Sequence, residues 1–209
     1  MSWVLGRIPF CWAVVVFLGC GASASTALPP QPGDAEADPR MITLPSADVP
    51  AEELTQTMRF GLALAEEAFG VEMPPPPPGG ATADLEQWAE GDLRAWLELK
   101  SRTVDAARRE LDTAAEESHR QRIMAGAVVG LMYEDVARRL SSLPVPAELA
   151  SDPEIATIFR EVIDAQASPF LIHARRAYGA CAANADGGPE AMAHWAPYCG
   201  RRRSRLPQP

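Results

Sequence analysis

The chain has 209 residues, a formal net charge of −9 and a pI near 4.9. That acidic balance argues against nucleic acid as a partner, because a phosphate backbone selects for basic surfaces. Aromatic residues make up only 7% of the chain, Ala, Leu, Glu and Arg dominate, and no long run alternates apolar and polar positions, so the expected fold class is all-α.

The first residues read as an export signal. Arg7 charges a short leader, Ile8–Leu18 forms an apolar run, and Gly19–Ser25 is built of small residues. The run holds about a dozen apolar residues where a spanning helix needs about 20, so a signal peptide over 1–19 is the expectation. Phe17-Leu18-Gly19-Cys20 resembles a bacterial lipobox, with Phe17 where leucine is usual. The resemblance implies that Cys20 is acylated and becomes the N-terminus. With Gly21 rather than aspartate next, it also implies an outer-membrane address on the periplasmic face. The alternative is cleavage after Ala24, which discards Cys20 and leaves a soluble periplasmic or secreted protein.

Residues 20–49 are rich in Ala, Ser, Pro, Asp and Gly and read as a disordered tether. A helical domain over 50–206 follows, large enough for one ordinary core. Its first helix is expected after Asp48, with Pro50 in the first turn, an apolar face through Leu54, Met58, Leu62, Ala65 and Phe69, and Gly70 as the stop. The five prolines Pro74–Pro78 with Gly79-Gly80 break the domain at 74–80 as a stiff spacer.

A second helix is expected from Thr82 or Asp84 to about Ser118, with Trp88, Trp96, Leu99, Val104 and Leu111 in its stripe. A third covers about Arg120–Ser141, where Ala125, Gly126, Ala127 and Gly130 would let a neighbour approach closely. Leu143-Pro144-Val145-Pro146 ends it. Asp152-Pro153-Glu154 then combines an N-cap, proline at the first helical position and an acid in the first turn. The fourth helix carries Ile155, Phe159, Val162, Gln166, Phe170, Ala177 and Cys181 as its predicted apolar face, and Pro169 should kink or split it. A turn at Asp186–Pro189 leads into a final helix, about Glu190–Arg203.

Cys11 leaves with the leader, so Cys181 and Cys199 remain as a pair in a thiol-oxidising compartment. Two helices folded back across the Asp186–Pro189 turn would bring them together. A disulfide closing that loop stabilises by about 3 kcal/mol in the loop-entropy model.

Leu131-Met132-Tyr133-Glu134-Asp135, Leu143–Leu149, Phe159-Arg160, Ala167-Ser168-Pro169, Ala177-Tyr178 with Cys181, and Trp195 before Cys199 stand in one ordered pattern. That pattern resembles a segment of large tetratricopeptide-type surface and periplasmic proteins of gliding, GC-rich bacteria, and spans about residues 85–206. The resemblance implies antiparallel helical hairpins and a scaffolding role, and carries over no catalytic residue. No 34-residue repeat stands in the chain itself.

The chemistry-bearing residues point no further. His119, His173 and His194 are the only histidines. His173 stands eight residues before Cys181 and His194 five before Cys199, which is not compact zinc-ligand spacing, so the expectation is no metal and no cofactor. No nucleophile elbow, phosphate loop or dinucleotide fingerprint is present, and the expectation is not an enzyme. A catalytic pocket would have to form near His173, Tyr178 and His194. Adjacent acids at Glu52-Glu53, Glu66-Glu67 and Glu116-Glu117 read as solvated faces. Arg201–Arg205 reads as a solvated tail, or as a contact for anionic headgroups or an acidic partner. Lys100 is the only lysine beside eighteen arginines, a skew read as genome composition. The expected function is an unidentified protein partner bound by a membrane-tethered module; the alternatives are a purely structural envelope lipoprotein or an enzyme of unknown class.

Overall fold

A computed structural model describes residue 49 and residues 51–77 and 81–207. The leader at 1–19, Cys20, almost all of the tether, Pro50 and the Pro78-Gly79-Gly80 end of the spacer lie outside the described residues. The helices are α1 (Gln56–Gly70), α2 (Thr82–Trp88), α3 (Arg94–Glu117), α4 (His119–Ser141), α5 (Ala147–Ala150), α6 (Pro153–Ala185) and α7 (Trp195–Arg205). Single 3₁₀ turns stand at Ala51–Glu53 and Glu190–Met192, and no strand occurs among the described residues.

α4 is the central element. Small and apolar residues occupy all its faces: Ile123, Ala127, Val128, Leu131, Met132, Val136 and Leu140 are buried together. A helix apolar on every side needs neighbours on every side. Here α3, α1 and α6 supply them, and α6 makes the most extensive contact. Residue pairs at the two ends of each interface set the directions. Lys100 meets Asp135 while Arg122 reaches Ala115, so α3 and α4 are antiparallel. Gly126 faces Cys181 while Ser141 reaches Asp164, so α4 and α6 are antiparallel. α7 folds back on α6 in the same sense, with Cys181 joined to Cys199 and Arg175 reaching Leu206.

Four sequence expectations are corrected. α1 starts at Gln56 rather than beside Asp48, because Thr55 is the N-cap: its hydroxyl accepts from the Met58 N–H. Neither Thr82 nor Asp84 caps the next helix; Ala81 is its N-cap residue, and Glu148 of α5 accepts from the Thr82 N–H and hydroxyl. A π-helical turn at Ala89–Leu93 then joins α2 to α3. The break between α3 and α4 falls where expected, as the single residue Ser118, extended at φ −152° and ψ 139°. Pro169 neither splits α6 nor ends it. Its ring and Ala165, whose carbonyl loses its helical donor, are both exposed, so water can replace the missing bond. The last helix begins at Trp195, not Glu190, and runs through Arg205, so the arginine run is helical rather than a frayed tail.

Candidate interaction surface

Where α4 stops, α6 continues. Ser141, the last residue of α4, hydrogen-bonds Asp164, so residues 153–163 of α6 project past the end of their main neighbour. Only Ala156 is buried along that stretch. Ile155, Ile158 and Val162 stand at 43%, 52% and 44% exposure. Their spacing of three and four places them on one face. This corrects the predicted core face of the fourth helix, since Ile155 and Val162 are surface residues. The buried seam of α6 runs instead through Ala156, Ala167, Ala174, Tyr178, Cys181 and Ala185. The anchors i, i+3 and i+7 are the pattern by which a helix engages an apolar groove.

Two polar clusters hold the frame that leaves this face outward. In the first, the fully buried Lys100 of α3 donates to Asp135 of α4 at 2.8 Å and to the Ala68 carbonyl. Arg138 and Arg139 also donate to Asp135, Arg139 reaches the Phe69 carbonyl, and the Trp96 indole N–H reaches the Val71 carbonyl. The last turn of α1 and its C-cap residue Val71 thus meet two cations and an indole at their carbonyls, where Ala68 otherwise accepts only a long bond from the Val71 N–H. Burial opposes ionisation of Asp135, but the Lys100 hydrogen bond and the surrounding cations outweigh it and hold the carboxyl below its ordinary range. At the other end of α1, buried Gln121 accepts from the Thr55 N–H and hydroxyl. Sequence reasoning assigned Lys100 no role. Its singularity was the available signal, and its place, sealed from solvent, is structural.

In the second cluster, Tyr178 donates to Glu134, and Arg202 of α7 donates to the other Glu134 oxygen at 3.0 Å. Burial, then the Glu134 charge, push the Tyr178 hydroxyl far above its ordinary range, so it stays a donor. The ring of Tyr178 lies against Gly130, where a Cβ would come within 2.6 Å of it. Gly126 likewise admits Cys181. The small residues of α4 serve as the sequence indicated: they bring α6 close and place Cys181 for its disulfide with Cys199, at a Cα separation of 6.1 Å.

The residues named for a catalytic pocket engage different partners. His173 stacks on Tyr133 at 5.0 Å between centroids, Tyr178 is bound to Glu134, and His194 lies against Trp195. Burial, then Arg176 and Arg108, lower the His173 pKa from its ordinary value, favouring the neutral ring. His119 is exposed but hydrogen-bonds the Asn184 carbonyl at 2.8 Å, tying the start of α4 to the end of α6. A crevice of about 170 Å³ between α3, α4 and α6 is floored by Ala125, Gly126 and Val129. That is smaller than the roughly 300–1,000 Å³ of a small-molecule site. Among the described residues no group of three or more His, Cys, Asp or Glu forms a ligand set for a metal ion, and no helix is long and apolar enough to cross a membrane. No family model, curated protein or solved structure matches the chain.

Proposed function

We propose that this chain is an exported, lipid-anchored helical-hairpin module of the cell envelope that works by binding a protein partner. The observation that carries this reading is the exposed Ile155, Ile158 and Val162 face on the overhanging half of α6. Isolated apolar residues on a surface need no explanation, but three on one helical face, beyond the neighbour that would cover them, form a contact site. A tether behind an acylated Cys20 would hold that face away from the membrane, and the tetratricopeptide-type resemblance fits the same role. No catalytic group or cofactor is assigned.

The test is paired capture from detergent-solubilised membranes, using the chain and an Ile155→Asp/Ile158→Asp variant of equal thermal stability. A protein retained by the first and lost by the second is the expected result. Equal recovery with both, or recovery with neither, overturns the reading. Membrane retention of Cys20→Ser tests the anchor separately: loss of retention is expected, and unchanged retention assigns it elsewhere.

A further inference from the structure

A second surface lies on the disulfide hairpin itself, apart from the Ile155 face. α6 and α7 enclose a trough of about 320 Å³ lined by Arg175, Ala182, Gly200, Arg203 and Ser204. Its floor is built from residues with little or no side chain, and its charge comes from two arginines.

Gly179 explains how those arginines come together. A Cβ at Gly179 would meet Nε, Cδ and Cζ of Arg203 at 3.7–3.8 Å, so the Arg203 side chain lies across α6 at that position. Arg175 stands four residues earlier, one turn away on the same helical face. The two guanidinium groups therefore border one trough. Arg175 directs one nitrogen at the Leu206 and Pro207 carbonyls, 3.1 and 3.5 Å away. Neither arginine forms a salt bridge with a carboxylate among the described residues, whereas the adjacent Arg202 is paired with Glu134. Exposed Arg201 and Arg205 stand two residues either side of Arg203, on the opposite face of α7, in a chain whose net charge is −9.

The geometry points to a phosphate-binding site between Arg175 and Arg203, taking a roughly dianionic phosphate group, free or terminal on a monoester. Guanidinium forks match phosphate oxygens in pairs. A phosphomonoester carries a charge of about −1.5 to −2 and three strong acceptor oxygens, which complements two cations that no carboxylate among the described residues pairs. The small residues Ala182 and Gly200 leave room for the group between the helices, while Gly179 gives the Arg203 side chain its place. The same chemistry is available from free phosphate and from a lipid headgroup ending in a phosphomonoester.

Both sources are tested on the full-length chain with Cys20→Ser, so that no acyl anchor contributes. Inorganic phosphate is titrated by calorimetry, and co-sedimentation is measured with vesicles of phosphatidic acid in phosphatidylcholine and of phosphatidylcholine alone. Arg175→Gln and Arg203→Gln are each expected to weaken binding about fivefold. Gly179→Leu displaces the Arg203 side chain from its place across α6 without changing charge and should weaken it as well. Arg201→Gln removes a charge outside the trough and should have the smaller effect. Binding in the calorimetric arm identifies the free ion as sufficient; binding confined to phosphatidic acid vesicles identifies the headgroup; either supports the site if the trough variants reduce it. Absence of binding in both arms overturns the proposal. So does binding that Arg201→Gln weakens as much as Arg203→Gln, or that Gly179→Leu leaves unchanged.

Discussion

The two halves of α6 carry comparable apolar content and meet opposite fates. From Ala167 to Ala185 the helix lies between α4 and α7, with Tyr178 and Cys181 fully buried. From Ile155 to Val162 the two isoleucines and the valine face outward, Phe159 is half-buried, and Ala156 alone is buried. The difference comes from the neighbours: α4 ends at Ser141, opposite Asp164, and only the four-residue α5 follows near the projecting end. Amphipathic periodicity supplies a face that can be buried, and the length of the adjoining helix decides how much of it is.

The largest expected effect comes from breaking the frame that covers the second half. Asp135→Ala leaves the Lys100 ammonium sealed in the core without its carboxylate and should cost about 3–5 kcal/mol, measured by denaturant unfolding. Asp135 also sets a pH dependence. Its folded-state pKa is depressed, so its contribution is present above the ordinary carboxylate pKa and is lost as pH falls through the lower folded value. The stability gap between the chain and Asp135→Asn should accordingly narrow in acid below about pH 4. A gap that widens there would show that the carboxylate does not stabilise the fold.

Reducing the Cys181–Cys199 bond comes next, with an expected loss of about 3 kcal/mol for a loop of this length. Intact mass with and without reductant verifies the bond, since reduction adds two hydrogens and exposes two alkylatable thiols. Gly130→Ala sharpens the contrast through its sign. Helix propensity alone favours alanine by about 1 kcal/mol. The new methyl would meet the ring of Tyr178, which is fully buried and held by Glu134, and overpacking of that kind costs about 1–3 kcal/mol. A net loss of up to about 2 kcal/mol is expected, because the Tyr178 ring is fully buried. Ile158→Ser stands at the small end, with a stability change within about 0.5 kcal/mol. A cost above about 2 kcal/mol would mean that this face is packed in the free protein, and the distinction between the halves would fail.

Much of the architecture was legible in the residues. The Asp152-Pro153-Glu154 start appears with Asp152 accepting from the N–H groups of Glu154 and Ile155. Gly70 ends α1, and Gly187 takes the turn at φ 79°. Gly126 and Gly130 mark close helix approach, and the cysteine pair falls across the predicted hairpin. Each rests on local chemistry: a cap, a proline with no N–H to lose, a glycine free of Cβ. The misreadings share another cause. Pro169 breaks a helix by local rules, yet the exposed side of α6 lets water take up the lost bond. Lys100 looks like one solvent-seeking cation among nineteen basic residues, yet Asp135 and the Ala68 carbonyl converge on it from distant parts of the chain.

The sequence by itself determined the all-helical class, most helix boundaries and the proximity of Cys181 to Cys199, because capping, propensity and turn chemistry act over a few residues. Only the tertiary structure decided which apolar stripe of α6 is core, which charges are buried, and which arginines border a common trough. Those outcomes depend on where neighbouring helices begin and end, and on which distant groups can compensate a desolvated charge. Neither is encoded in the spacing of residues along one helix.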